Sequence, residues 1–135
     1  MARSLTDCMF NRQRHSQTAQ TGAKAEADAE QYLKQHKLKS VANNYRCRYG
    51  EIDLVMKNDN TLVFVEVKFR RSHSHGYAEE MVTAAKQQKI IAAAEHFLSN
   101  HSQYQQYNCR FDVVAVAYDN SQQHINWIKD AFVAY

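Results

Sequence analysis

The sequence predicts an α/β domain: a mixed sheet with helices packed against it, in the order helix, three strands, helix, two strands. Three observations lead there. Residues 62–69 are rich in Val and Phe and free of glycine, the mark of a largely buried strand. Stretches with apolar residues at helical spacing lie on either side of the hairpin containing that strand. A chain of 135 residues, 44% of them hydrophobic, suits one domain with one modest core.

Taken in order, residues 1–20 are rich in Gln, Ser, Thr and Arg without periodicity and read as a flexible basic tail, with residues 21–135 forming the folded domain. Arg3, Arg12 and Arg14 in the tail either brush phosphates or are solvated. From Gly22 to about Leu38, Ala25, Ala29, Tyr32, Leu33 and His36 recur at helical spacing, and Lys34, Lys37 and Lys39 complement the negative end of the helix dipole. Glu26 lies in the first turns, beside that stripe.

Residues 40–49 are expected to form an edge strand, with Arg46 and Arg48 on one face and Tyr45, Cys47 and Tyr49 on the other. Gly50 marks a bend, or a place where the backbone comes close to something else. Residues 51–56 form the next strand, the turn formers Lys57, Asn58, Asp59 and Asn60 follow, and residues 62–69 return. After them, residues 70–76 make a polar loop with Arg70, Arg71, His73 and His75. Loop histidines without a third ligand bind metal only rarely.

A second helix is expected over residues 78–99, packing through Val82, Ile90, Ala93, Ala94, Phe97 and Leu98. Lys86 falls four residues from both Val82 and Ile90 on that stripe, so it either snorkels along its stem or points at anions near the sheet. Residues 109–118 and 125–128 are the last strands, joined by a turn at Asp119, Asn120 and Ser121. Arg110 and Asp112 read best as a structural pair.

Chemistry concentrates in the central hairpin. Alternation puts Val63, Val65, Val67 and Phe69 on one face of the third strand and Phe64, Glu66 and Lys68 on the other. With a four-residue loop at 57–60, Asp53 falls opposite Phe64 and Glu51 opposite Glu66. Asp53 and Glu66 are then diagonal neighbours, roughly 7–8 Å apart between backbones. Burying a charge costs several kcal/mol unless geometry repays it, so three charges in the most apolar hairpin call for a reason. One reason is an ordinary ion pair. The other is a hard divalent cation, Mg2+ or Mn2+, held by Asp53, Glu66 and the backbone carbonyl near Val67, with Lys68 to orient or deprotonate a water or to neutralise phosphate charge.

Asp53 followed by Glu66, Val67 and Lys68 resembles the PD-(D/E)XK nuclease signature, although Ile52 stands where the signature has proline. Around it, Gly22, Glu26, Ala29, Tyr32, Leu33, Asn44, Arg46, residues 50–54, residues 63–68, Arg70, Gly76, Lys86 and residues 110–113 resemble the YraN-like family of small bacterial proteins. The family often has Gly before the acid of its first helix, where this chain has Ala25. The family is similar to Holliday junction resolvases. That similarity implies a restriction-endonuclease-like sheet, an endonuclease acting on structured or branched DNA, and a homodimer, since such resolvases work in pairs. It also brings Glu26 and Lys86 into the catalytic set with Asp53, Glu66 and Lys68. Arg46, Arg48, Arg70 and Arg71 are expected to hold phosphates. The alternative is a nucleic-acid-binding or partner-recruiting protein that keeps the nuclease fold without turnover.

Composition agrees with either reading. The net charge of +3 and pI near 8.8 permit a polyanionic partner without demanding one. Cys8, Cys47 and Cys109 are odd in number, widely spaced and fit a reducing cytoplasm. No apolar leader and no stretch long enough to cross a bilayer stand out, so the expected location is cytoplasmic, away from membranes.

Overall fold

The computed structural model describes residues 22–70, 82–120 and 122–134. Helix α1 occupies residues 22–35. It is followed by β1 (Lys39–Cys47), β2 (Gly50–Asn58), β3 (Thr61–Arg70), α2 (Ala84–Asn100), a single 3-10 turn (Ser102–Tyr104), β4 (Asn108–Asp119) and β5 (Gln122–Phe132). The five strands make one sheet in the order β1-β2-β3-β4-β5. β3 and β4 are parallel and the other neighbours antiparallel. The parallel pair needs a crossover, and α2 supplies it. This is the expected αβββαββ order in a mixed sheet. The N-terminal tail, Arg71, His73, His75 and Gly76 lie outside the described residues.

The two helices cover opposite faces. Ala25, Ala29 and Leu33 of α1 cluster with Leu54, Met56, Val63, Val65, Val114 and Val116. Ile90, Ile91, Ala93, Ala94 and Phe97 of α2 cluster with Val55, Leu62, Phe64, Phe111 and Val113. Alternation along β3 therefore holds: Val63 and Val65 face α1, while Leu62 and Phe64 face α2. Helix α1 closes earlier than its periodicity suggests. Lys37 takes a left-handed backbone (φ 73°), and the N–H groups of Lys37 and Leu38 donate to the carbonyls of Lys34 and Leu33. That double bond is the Schellman stop, with buried Leu38 folded back on Leu33.

Several boundaries differ from expectation. Helix α2 begins at Ala84 because the Thr83 hydroxyl accepts from the Lys86 N–H and caps it, so Val82 packs in the core ahead of the helix. β1 ends at Cys47, and Arg48 and Tyr49 form a two-residue turn to Gly50. β5 is much longer than residues 125–128, because its polar ends lie on an edge strand.

The β2–β3 loop is also shorter than expected. Asn58 pairs with Thr61, leaving Asp59 (φ 51°) and Asn60 as a two-residue turn. The register consequently slides by two residues from the expected one. An even slide preserves faces, so the same side chains still point toward α2.

At Gly50 the sheet lies hard against α2. A Cβ there would lie 2.9 Å from the Lys89 carbonyl oxygen and 3.2 Å from its Cβ. Gly50→Ala is expected to push α2 off the sheet and destabilise the protein by about 1–3 kcal/mol, measured by urea unfolding.

Asp112, wholly buried, is satisfied on every side. Arg110 grips it through Nε (2.9 Å) and the guanidinium tip (3.0 Å), while the Trp127 indole (2.8 Å) and the Asp130 backbone N–H (2.9 Å) also donate to it. These bonds knit β4 to β5 across the break in their register between Phe111 and Val113. The pair is structural, as the sequence suggested. Among the described residues, Cys47 and Cys109 are free thiols, and no helix is long and apolar enough to cross a membrane.

Candidate functional site

The hairpin register brings Asp53 and Glu66 together. The paired ladder runs from Asn58 with Thr61 to Leu54 with Val65, and the next step sets Asp53 beside Glu66. There the ladder stops. The Val67 N–H donates instead to the Asp53 carboxylate at 2.8 Å, so a side chain replaces a backbone acceptor as the strands part. Regular alternation in β2 slips at the same point, since Ile52 and Val55 pack on the α2 side and Leu54 on the α1 side. Across from Asp53 in β1 stands Asn44, with a left-handed backbone (φ 52°). Asn and Asp tolerate that conformation best among residues with a side chain.

Glu66 is buried and Asp53 half-buried. Glu66 is 6% exposed, in a core otherwise apolar except for Asp112. Burial, reinforced by the Glu66 charge, pushes the Asp53 carboxyl up from its ordinary 3.8 to about 7, against the lowering effect of the Val67 N–H. A hydrogen bond with Glu66 adds a smaller push in the same direction. Glu26 reaches toward the pair from α1. Burial and the Asp53 charge raise its carboxyl, while a hydrogen bond from Asn44 and the Arg46 charge lower it.

Two ammonium groups converge on the same Glu66 oxygen, Lys68 Nζ at 3.6 Å and Lys86 Nζ at 3.8 Å. Lys68 comes from the same strand face two residues on. Lys86 comes from the first turn of α2, so its stem points inward to the carboxylate and does not snorkel out. Beside Lys86 a groove of about 260 Å³ opens, lined by Arg46, Cys47, Gly50, Glu51, Lys86 and Lys89. Arg46 Nε lies 3.4 Å from Glu51 at its rim.

Glu26, Asp53, Glu66, Lys68 and Lys86 are thus gathered at one end of the sheet. Arg46 lines the adjoining groove, Arg48 sits in the turn beside it, Arg70 closes β3, and Arg71 lies outside the described residues. Sequence reasoning gave no role to Asn44, Glu51 or Lys89. Lys89 follows Lys86 by three residues on a helix, a spacing that puts both on one side. Asn44 carries the weaker signal of an Asn inside a strand, and Glu51 carries none beyond its charge. Among the described residues no three or more His, Cys, Asp or Glu side chains form a group that could hold a metal ion, so Asp53 and Glu66 stand as a pair.

Residues 25–116 match the profile of uncharacterised protein family UPF0102. This chain belongs to that family. The family is YraN-like, as the residues around the hairpin suggested. A UPF0102 protein of Saccharophagus degradans is 49% identical over 113 residues, covering 84% of this chain and 92% of the relative. UPF0102 proteins of Nitrosomonas europaea and Francisella tularensis subsp. novicida are each 44% identical over 117 residues, covering 87% and 86% of this chain and 97% of each relative. The matched segment of UPF0102 contains all five residues of the candidate site.

Proposed function

We propose that this protein is a metal-dependent endonuclease that hydrolyses phosphodiesters of structured or branched DNA. One observation carries the reading: the half-buried Asp53 carboxyl and the buried Glu66 carboxylate meet on adjacent strands beside two lysines. Carboxyls brought side by side on neighbouring strands can be bridged by one cation. Their oxygens suit a hard ion, Mg2+ or Mn2+, which Asp53, Glu66 and the Val67 carbonyl would hold. When bound, such an ion supplies Lewis acidity at a phosphoryl oxygen and acidifies water. Lys68 orients the attacking water and offsets charge building on the phosphate. Lys86 fixes the Glu66 carboxylate and adds positive charge, while Glu26, tied to Asn44, adds a further acid behind Asp53.

A second reading, a nucleic-acid-binding protein without turnover, is favoured by one feature. Glu66 already has two ammonium partners, which alone could justify its burial. The purified protein is expected to cut four-way junction, flap or linear duplex DNA in magnesium or manganese and to stop on chelation. Salt-sensitive binding that ignores chelator, with no cleavage of any of the three, would establish the second reading.

A further inference from the structure

Gly50, which lines the groove beside Lys86, adjoins an exposed aromatic ring. Tyr49, in the β1–β2 turn next to Gly50, is 44% exposed, and Val133 is the only other large hydrophobic residue so open among the described residues. Its ring is held in place. The Arg48 guanidinium lies 4.8 Å from its centroid and donates to its hydroxyl, and the His96 ring of α2 flanks it at 5.9 Å. Along α2, Lys86, Lys89 and His96 succeed one another, so the carboxylate pair and the Tyr49 ring are separated by about 15 Å of helix.

The lining of the groove is mainly cationic. Arg46, Lys86 and Lys89 face one carboxylate, Glu51, which Arg46 already engages. At about 260 Å³ the groove has room for a sugar and its phosphate but not for a duplex, which would rest on its rim. An aromatic face beyond a phosphate-binding groove is the arrangement by which proteins hold single strands, backbone on the cations and base on the ring. Inside a continuous duplex, base faces are stacked on one another and closed to such a ring.

Resting on the nuclease reading, we propose that the site takes DNA with an unpaired strand at the point of cleavage. That strand runs along α2 from the carboxylate pair, its phosphates against Lys86, Lys89 and Arg46 and an unstacked base on Tyr49. Arg48 holds the ring in readiness. Flaps and branch points present such a strand; intact duplex does not.

Fluorescence anisotropy with labelled oligo(dT) and with a blunt duplex of equal length, in chelator so that nothing is cut, tests this. Wild type is expected to prefer oligo(dT). Tyr49→Ala should weaken oligo(dT) binding about tenfold, with a much smaller change for the duplex. Tyr49→Trp should retain affinity and report the stacked base by quenching of its added emission. Lys89→Gln should weaken binding and reduce the slope of log affinity against log salt by about one. Thermal melts check that each variant is folded.

A folded Tyr49→Ala protein that binds oligo(dT) like wild type, or a wild type that prefers blunt duplex, overturns the proposal. The two readings fail separately. Cleavage in magnesium that ignores Tyr49→Ala sinks the strand path and leaves the nuclease, whereas Tyr49-dependent binding without cleavage does the reverse.

Discussion

Lys68→Met is expected to lower the rate of metal-dependent DNA cleavage by about 10²–10³-fold or more, the scale of removing one preorganised charge from a water-poor site. The Lys68 ammonium lies on the strand face that carries Glu66 and is 3.6 Å from its carboxylate. Methionine keeps the apolar stem and removes only the charge, so the fold should survive and the loss should appear in turnover. Lys34→Met, on the outer side of α1, where the lysine pairs with Glu30 at 3.6 Å, serves as the control and should cleave normally. Single-turnover assays on junction, flap and duplex substrates give the comparison. Equal rates for wild type and Lys68→Met would remove Lys68 from the reaction.

Asp53 should make the protein less stable as pH rises. Its carboxyl has an ordinary value of 3.8 and is held at about 7 in the folded chain. Between those values the folded state keeps a proton that the unfolded state has released, so stability falls with pH across that window. Below 3.8 both states are protonated and Asp53 contributes no difference. Above about 7 the full penalty is present, on the order of 4 kcal/mol. Asp53→Asn cannot ionise, so it should be the more stable protein at pH 8, with the advantage shrinking toward pH 4. Urea unfolding of both proteins across that range measures it.

A cation and a proton compete for the same carboxyls, so magnesium should reverse this penalty. At pH 8, saturating magnesium should raise the melting temperature of wild type and leave that of Asp53→Asn where it was, because only a site present in the folded state gains by mass action. An unchanged wild-type melting temperature would argue for the ion-pair reading of the hairpin.

Much of this arrangement was legible in the chain because buried strands leave charges nowhere to hide. Glu66 and Lys68 fell on the correct face by alternation alone. The loop at 57–60 was less legible. Lys57, Asn58, Asp59 and Asn60 all suit turns, and composition does not say that only the last two make one. The site survived that misjudgement because a slide of two residues keeps every side chain on its face; a slide of one would have scattered it.

Other parts had no local signal. Glu26 meets Asn44 because α1 is laid across the sheet by its packing on β2, β3 and β4, a contact between residues 18 positions apart that no spacing rule anticipates. The start of α2 depended on Thr83 outcompeting the helical periodicity ahead of it. Tyr49 read as a strand residue, and only the two-residue turn lifted it to the surface beside His96.

The irregularities at the two outer strands also bear on how the protein behaves in concentrated solution. β1 breaks register between Ser40 and Ala42 and bends again at Asn44, and β5 breaks opposite Asp112 with Asp130 in a left-handed conformation (φ 55°). Joining a second copy edge to edge needs a straight run of unpaired N–H and C=O groups in step. β1 offers none over its length, and β5 offers one only over Gln122–Ile128, ahead of its break. Edge-to-edge joining of two copies is therefore discouraged at β1 and limited at β5 to that one stretch.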